Sequence, residues 1–149
     1  GDNYHPENSH VMASLIRKFH QASQKSYPTV TCWGTGNPLR EFMHVDDLGE
    51  AVLFALENWD PNSKNAPCDE KGLPLNHLNV GSGQDLSIKN LALKIASIFN
   101  YKGEILWDKT KPDGTPKKQL NVSRIKSLGW EPKISLDDGI SSTIKNLNF

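Results

Sequence analysis

The stretch VTCWGTGNPLREFMHVDDL, residues 30–48, combines a predicted strand, a turn, a second strand and the start of a helix. Thr29–Trp33 is rich in β-branched and aromatic residues, which favour strands. The glycines and the proline that follow favour a tight turn, and Arg40–Val45 predicts the second strand. Asp46 and Asp47 then open a helix, where acidic side chains suit the positive end of the helix dipole.

The rest of the chain alternates helices and strands in the same way. Apolar residues at helical spacing predict further helices at roughly 10–22, from Ser87 to about Asn100, over 122–128 and from Ser135 to Leu147. Short β-rich runs predict strands at His77–Val80 and Glu104–Trp107. Residues 58–75 are rich in Pro, Asn, Asp and Lys and predict an exposed, flexible loop. The pattern favours a small mixed α/β domain that occupies residues 1–149 as a single unit.

The composition is that of a globular protein with no strong attraction to polyanions. Hydrophobic residues make up 36% of the 149 residues, and 17 basic residues balance 17 acidic ones. This balance does not favour nucleic acid or an anionic membrane as a partner. The sequence has no apolar run of the length that spans a bilayer. The two cysteines make neither a disulfide framework nor a metal site, so we expect a reduced, cytoplasmic protein.

Two short motifs are candidates for ligand chemistry. Gly81-Ser82-Gly83 lies between a predicted strand and a predicted helix, where dinucleotide-binding domains carry G-x-G-x-x-G. Leu86 stands where the third glycine belongs, so a tight strand-to-helix turn is the favoured interpretation. The motif HPENSH ends at His10, whose imidazole could exchange protons near neutral pH. From the residues alone, a polar residue at a helix start is the favoured role. HPENSH is not a convincing metal site, because no second cluster completes a ligand set.

Five segments in collinear order carry a resemblance to a known family. They are NYHPENSHV, VTCWGTGNPLREFMHVDDL, LNVGSGQDLSIKNLA, YKGEILWDKTKPDGTPKKQL and SLGWEPKISLDDGI. Together they closely resemble the carboxyl-terminal part of the GDP-L-fucose synthase family, a branch of the extended short-chain dehydrogenases/reductases. The resemblance implies a small mixed α/β substrate-binding domain, with the Rossmann domain upstream and absent from this chain.

The resemblance also implies an activity for the parent enzyme. Family members use NADPH, epimerise C3 and C5 of GDP-4-keto-6-deoxy-D-mannose and then reduce the C4 ketone, giving GDP-L-fucose. The expected partners are a GDP-sugar and, through helices of the absent domain, a second subunit of a homodimer. We expect the isolated chain to be inactive. The alternatives are a stand-alone nucleotide-sugar binding module and a fragment of a related nucleotide-sugar epimerase or dehydratase.

The family motifs imply roles for individual residues. His10 matches the catalytic histidine, which acts as the acid in epimerisation and also contacts the cofactor. Four further positions match substrate-binding residues of the family: Trp33, Arg40, Lys18 and Asp113. Lys117 is a possible addition to this set. Arg40 would bind the diphosphate through its two-pronged guanidinium. Lys18 replaces an arginine of the family, so it keeps the charge but loses the bidentate geometry.

Three of these positions, Trp33, Arg40 and Asp113, also have a structural alternative. Trp33 could be a core residue, and Arg40 could form a salt bridge with Glu41 or Asp46. The loop KPDGTP, which contains Asp113, could be a structural turn. Asp46 and Asp47 are best explained by helix capping and the helix dipole. Glu104 stands where some relatives carry a basic residue that contacts substrate, which argues against a role for it.

Overall fold

The computed structural model describes residues 2–147 and confirms a mixed α/β fold. The five helices of this part of the chain are α1 Val11–Gln24, α2 Val45–Asn58, α3 Ile88–Ile98, α4 Ser123–Ser127 and α5 Leu136–Lys145. The five strands are β1 Thr29–Trp33, β2 Leu39–Glu41, β3 Asp85–Ser87, β4 Glu104–Asp108 and β5 Lys117–Lys118.

The strands form two small sheets. In the first, β1 lies parallel to β4, with a register that runs from Thr29 opposite Glu104 to Trp33 opposite Asp108. In the second, the order is β3-β2-β5, and β2 runs parallel to β5 with Leu39 opposite Lys117. Parallel neighbours need a long crossover connection, so each of these pairs joins segments that are distant in sequence.

The chain divides into two compact units. The first comprises Gly1–Arg40, Leu86–Lys118 and Ile140–Phe149, and the second comprises Glu41–Asp85 and Gln119–Gly139. In the first unit, α1 packs against α3 and against β1. Phe19 at the centre of α1 is fully buried and meets the Tyr101 ring edge-on, with 5.5 Å between the ring centroids.

The second unit has its own apolar cluster. Its fully buried members come from α2, α4 and the chain around them: Ala51, Val122, Ile125 and Trp130. Met43, Phe54, Leu78 and Val80 pack against this cluster and are partly buried. The unit also buries the Asp47 side chain, which is 1% exposed.

The structure corrects several predicted boundaries. The strand predicted at Arg40–Val45 ends at Glu41, because the chain turns into α2. His44, rather than an aspartate, is the N-cap of α2, and its Nδ1 accepts a hydrogen bond from the Asp46 N–H at 3.3 Å. The last helix ends at Lys145 and does not reach Leu147.

The prediction of a strand at His77–Val80 is wrong, because these residues form no strand in the structure of residues 2–147. This segment belongs to neither sheet. Leu78 and Val80 nevertheless point alternate side chains into the apolar cluster of the second unit, as a strand would. The alternating pattern is therefore present, and a neighbouring strand is not found among the described residues.

Candidate functional site

The turn between β1 and β2 is held close to the end of β4. Gly34 and Gly36 adopt φ values of 76° and 77°, which glycine tolerates best. The Gly34 N–H donates to the Asp108 carbonyl at 2.9 Å. A Cβ atom at Gly36 would lie 2.7 Å from the Trp107 ring. The two glycines of WGTG are therefore required by conformation and by close packing.

Asp113 fastens the KPDGTP loop to this turn. Its carboxylate accepts hydrogen bonds from the Thr35 hydroxyl at 2.7 Å and from the Thr35 N–H at 2.6 Å. These two bonds lower the pKa of Asp113 below its ordinary value, because they favour the charged form. This geometry gives Asp113 a positioning role within the first unit, and direct contact with a ligand remains a prediction.

Trp33 lies at the surface, and its ring is available to a ligand. The residue is 58% exposed, which contradicts the core position considered above. The Lys111 ammonium lies 5.3 Å from the centre of the Trp33 ring, in the range of a cation–π contact. The turn, the KPDGTP loop and Trp33 thus bring an aromatic face and a positive charge together.

The Arg40 guanidinium lies beside the same loop. Its Nη1 donates to the Leu39 carbonyl at 2.7 Å, and its Nη2 lies 3.6 Å from where a Cβ of Gly114 would stand. A guanidinium carries five N–H donors, so most of its donors remain for another acceptor. The two carboxylates considered as alternative partners have other contacts, Glu41 with the Gly83 N–H and Asp46 with His44.

Lys18 extends from α1 towards β1. Its Nζ donates to the Thr31 carbonyl at 2.7 Å. Burial lowers the pKa of Lys18; the neighbouring Cys32 opposes this shift, and Arg17 adds to it. Burial also raises the pKa of the Cys32 thiol. Lys18 is therefore a partly desolvated cation, and its contact with substrate remains a prediction.

His10 occupies the N-cap position of α1, and its side chain is exposed. Its imidazole makes no capping hydrogen bond, while its carbonyl accepts from the Ser14 N–H at 2.9 Å. Arg17 steadies the preceding segment by donating to the Pro6 carbonyl at 3.1 Å. The imidazole is thus free to meet a ligand. The hydrogen bonds and ring contacts of the described residues do not connect His10 with Trp33, Lys111, Arg40 or Asp113.

The other two histidines near the amino terminus contact neighbouring groups of the described chain. His5 Nδ1 accepts from the N–H groups of Glu7 and Asn8 at 3.2 and 3.3 Å, which closes a turn. The His20 ring lies 5.7 Å from the Phe99 ring. Both contacts fit structural roles.

Sequence reasoning missed two carboxylates that organise the second unit. Glu41 accepts from the Gly83 N–H at 2.7 Å and from the Leu120 N–H at 3.0 Å. Asp47 accepts from the N–H groups of Lys133 and Ile134 at 3.0 and 3.1 Å. No local signal reveals these roles, because the partners of both residues are far away in sequence.

The Gly81-Ser82-Gly83 turn does not fit a dinucleotide cofactor. In a Rossmann fingerprint the backbone N–H groups of this turn face a pyrophosphate. Here the Glu41 carboxylate takes the Gly83 N–H, and a Cβ at Gly81 would collide with the same carboxylate. A second anion at this place would be repelled. Among residues 2–147, no group of three or more His, Cys, Asp and Glu side chains is arranged to hold a metal ion.

Comparison with known proteins bears out the resemblance. Residues 1–70 match the model of the NAD dependent epimerase/dehydratase family. GDP-L-fucose synthase 1 of Arabidopsis thaliana is 46% identical over 142 residues, which are 95% of this chain and 40% of the relative. The chain is homologous to the GDP-L-fucose synthases.

Solved structures show the same similarity. A GDP-6-OMe-4-keto-L-xylo-heptose reductase from C. jejuni aligns with a TM-score of 0.82 and 33% identity, over 96% of this chain and 49% of that one. A GDP-L-fucose synthetase from Naegleria fowleri, bound to NADP, aligns with a TM-score of 0.76 and 25% identity, over 97% and 41%. The chain thus spans less than half the length of each of these three proteins. In the part that the structure describes, no helix is both long and apolar enough to cross a membrane.

Proposed function

We propose that this chain is the substrate-binding part of an enzyme that makes GDP-L-fucose. The parent enzyme would epimerise C3 and C5 of GDP-4-keto-6-deoxy-D-mannose and reduce the C4 ketone with NADPH. The observation that carries the proposal is the cluster of Trp33, Lys111, Arg40 and Asp113 around one turn of the first unit. The 46% identity to a GDP-L-fucose synthase supports the same substrate.

The chemistry of this cluster suits a sugar nucleotide. The diphosphate is the charged centre of a GDP-sugar, and a guanidinium can bind two of its oxygens at once. Arg40 would supply that contact, and Lys111 and Lys18 would add positive charge. The exposed Trp33 ring offers a stacking surface or an indole N–H donor. Asp113 would act by fixing the turn that lies between Trp33 and Arg40.

His10 is our proposed catalytic acid. Epimerisation beside a ketone removes a proton from one face of the carbon and returns a proton to the other face. An imidazole can deliver that proton near neutral pH. His10 is exposed at the start of α1, and its imidazole makes no capping hydrogen bond, so its ring nitrogens are available for this step. The base that removes the proton would come from the part of the enzyme that this chain does not cover.

The cofactor would be held mainly outside this chain. NADPH supplies the hydride for ketone reduction, and the only contact that we propose for it here is with His10. The poor fit of the Gly81–Gly83 turn to a pyrophosphate supports a site in the uncovered part of the relatives. We further propose that the parent enzyme is a homodimer in the reducing cytoplasm, where the free thiols of Cys32 and Cys68 would persist.

A chimeric enzyme tests this proposal. The matched 142 residues of the Arabidopsis GDP-L-fucose synthase 1 would be replaced by this chain. We expect the chimera to convert GDP-4-keto-6-deoxy-D-mannose to GDP-L-fucose. His10→Asn should lower turnover about 10²- to 10⁴-fold, the usual contribution of a general acid, while the control His77→Asn should not. A chimera that folds and binds NADPH but forms no GDP-L-fucose would overturn the proposal.

Arg40 can be tested in the same chimera. Arg40→Lys keeps the charge and loses the bidentate geometry, so the KM for the GDP-sugar should rise about tenfold or more. Arg124→Lys, on the exposed surface of α4, is the matched control and should leave KM unchanged. An unchanged KM for Arg40→Lys would argue against its contact with the diphosphate.

A second candidate function is a stand-alone nucleotide-sugar binding module. It is favoured by the fact that Trp33, Arg40, Lys111 and Asp113 all belong to one compact unit. Calorimetry of the 149-residue chain with GDP-fucose separates the two candidates. Micromolar binding without any further domain would favour the module, and absence of binding would favour a part that needs the rest of the enzyme.

A further inference from the structure

A cleft in the first unit contains none of the predicted site residues. It has a volume of about 490 Å³ and lies between α3, the segment that follows α3 and strand β4. Small-molecule sites in proteins commonly have such a volume and combine apolar walls with a few polar groups. Six of the residues that line this cleft show the same combination: Lys89, Leu93, Asn100, Lys102, Ile105 and Trp107.

The cleft and the exposed Trp33 ring lie on opposite faces of the first sheet. Ile105 and Trp107 of β4 line the cleft, and they stand opposite Val30 and Cys32 of β1, which are buried. Successive side chains of a strand point to opposite faces. Trp33 follows Cys32 and therefore points away from the cleft. The cleft is thus separate from the surface on which we propose that the GDP-sugar binds.

The charged groups of the cleft are positive. Lys89 and Lys102 are exposed side chains at its wall. None of the lining residues in the described part of the chain is an aspartate or a glutamate. Glu104 precedes Ile105 in β4, so its side chain points to the other face of the strand. Two ammonium groups without a nearby carboxylate favour an anionic ligand.

Trp107 and Tyr101 give the cleft an aromatic wall. Tryptophan rings bind flat aromatic ligands by stacking, and the indole adds a large apolar surface. Tyr101 also lines the cleft, and its hydroxyl is buried without a hydrogen-bond partner among the described residues. Buried polar groups are normally hydrogen-bonded, so this wall holds a donor that lacks an acceptor. The lining therefore combines aromatic surface, positive charge and an unused donor.

Two residues of the cleft also contact the turn between β1 and β2. The Lys89 N–H donates to the Gly36 carbonyl at 2.8 Å. The six-membered part of the Trp107 ring lies against Gly36, since a Cβ there would be 2.7 to 2.9 Å from three of its carbon atoms. A ligand that touches Lys89 and Trp107 would therefore change the surroundings of Gly36.

We propose that this cleft binds a planar aromatic molecule that carries an anionic group, a phosphate or a carboxylate. The ring would lie against Trp107 and Leu93, and Lys89 and Lys102 would hold the anion. The inference goes beyond the proposed function and does not depend on it, because every lining residue belongs to the first unit.

Calorimetry of the 149-residue chain tests the ligand class. The probes are naphthyl phosphate and naphthoate, and the controls are naphthalenemethanol, which has the ring without the charge, and inorganic phosphate. We expect the tighter anionic probe to bind about tenfold or more tightly than each control. The ranking of the two anionic probes then distinguishes a phosphate from a carboxylate ligand. Equal affinity for an anionic probe and naphthalenemethanol, or for naphthyl phosphate and inorganic phosphate, would overturn the inference.

Variants of exposed residues locate the contacts. Lys89→Gln and Lys102→Gln should each weaken the binding of naphthyl phosphate about two- to fivefold, and leave that of naphthalenemethanol unchanged. Ser97→Trp, at an exposed position of α3 that lines the cleft, should fill the cleft and weaken both. Lys64→Gln is the matched control, because it removes an exposed ammonium of the second unit. Unchanged binding of naphthyl phosphate in both lysine variants would overturn the proposed anion contacts.

Nuclear magnetic resonance of the same chain shows where the probe binds. On addition of naphthyl phosphate, the amide signals of Gly36 and Lys89 and the indole N–H signal of Trp107 should shift together. In Ser97→Trp these shifts should be lost. Shifts centred on Trp33 and Lys111 instead would place the probe at the proposed GDP-sugar surface and overturn the separate site. Shifts at the cleft together with an inactive chimera would reject the synthase activity and keep this site.

Discussion

Helices α1 and α2 have the same length, 14 residues, but differ in how much of their surface the described chain uses. Helix α1 buries one side, with Phe19 at its centre, and turns polar side chains such as Gln21 outward. Helix α2 buries one side and exposes an apolar outer face, whose large side chains are Val45, Leu48, Val52, Leu53 and Leu56. The comparison teaches that α1 is completed within its own unit, whereas α2 has apolar surface that residues 2–147 leave exposed.

The largest effect is expected at the centre of α1. Phe19→Ala removes a fully buried ring and its edge-on contact with Tyr101, and leaves a cavity. We expect the free energy of unfolding to fall by about 3–5 kcal/mol. Urea titration followed by far-UV circular dichroism measures it. Phe19→Leu, which refills most of the volume, should cost clearly less, and equal losses for both variants would contradict a packed site.

The next effect concerns the inner side of α2. Asp47→Ala leaves the partly buried N–H groups of Lys133 and Ile134 without their acceptor, which should cost about 2–3 kcal/mol. The adjacent Asp46 has a side chain that is 76% exposed, so Asp46→Ala should cost less than about 1 kcal/mol. The same urea titration compares the two neighbours. Similar losses would show that both act only through the helix dipole.

Truncating a side chain on the exposed apolar face of α2 should change the stability of the isolated chain very little. Leu56→Ala removes a side chain that is already 78% in water, so the free energy of unfolding should change by about 0.5 kcal/mol or less. This small effect is the counterpart of Phe19→Ala in α1. A loss of several kcal/mol in the 149-residue chain would mean that the outer face is covered in solution.

The smallest effect is expected when the pH is lowered and Asp113 of the KPDGTP loop becomes protonated. The pKa of Asp113 is lowered in the folded chain by its hydrogen bonds to Thr35. These bonds therefore stabilise the fold at pH values above the ordinary carboxyl pKa of 3.8. This contribution is lost as the pH falls through the lower folded value. The Thr35 amide signal in an NMR titration should therefore shift only below about pH 4. Asp113→Asn should abolish that shift, and its persistence would assign it to another group.

The starts of α3 and α5 were predictable because their determinants are local. Ser87 caps α3 by accepting from the Asn90 N–H at 3.1 Å, and Ser135 accepts from the Asp138 N–H at the same distance. In each case the two residues are three positions apart. One detail differs from a reciprocal capping box, since Asp138 accepts from the Ser135 hydroxyl rather than from its backbone. The strands β1 and β4 were also predicted close to their observed bounds.

The candidate site was predictable only as a set of residue types. The family resemblance predicts roles for His10, Trp33, Arg40, Lys18 and Asp113, but not the geometry that relates them. The structure shows Trp33 at the surface, Lys111 beside its ring and Asp113 bound to Thr35. It also assigns Glu41 and Asp47 to backbone donors, roles for which the sequence carries no local pattern.

The sequence by itself determined most of the helices, the two main strands, the tight WGTG turn and the resemblance to the GDP-L-fucose synthases. These depend on periodicity, capping and motifs that extend over a few residues. Only the tertiary structure decided which distant groups meet, because Thr35 and Asp113 are 78 positions apart and Asp47 and Lys133 are 86 apart. Within the described part of the chain it also leaves His77–Val80 outside both sheets and one apolar face of α2 exposed. A residue pattern states what a segment prefers to bury, whereas burial itself depends on what the rest of the chain places beside it.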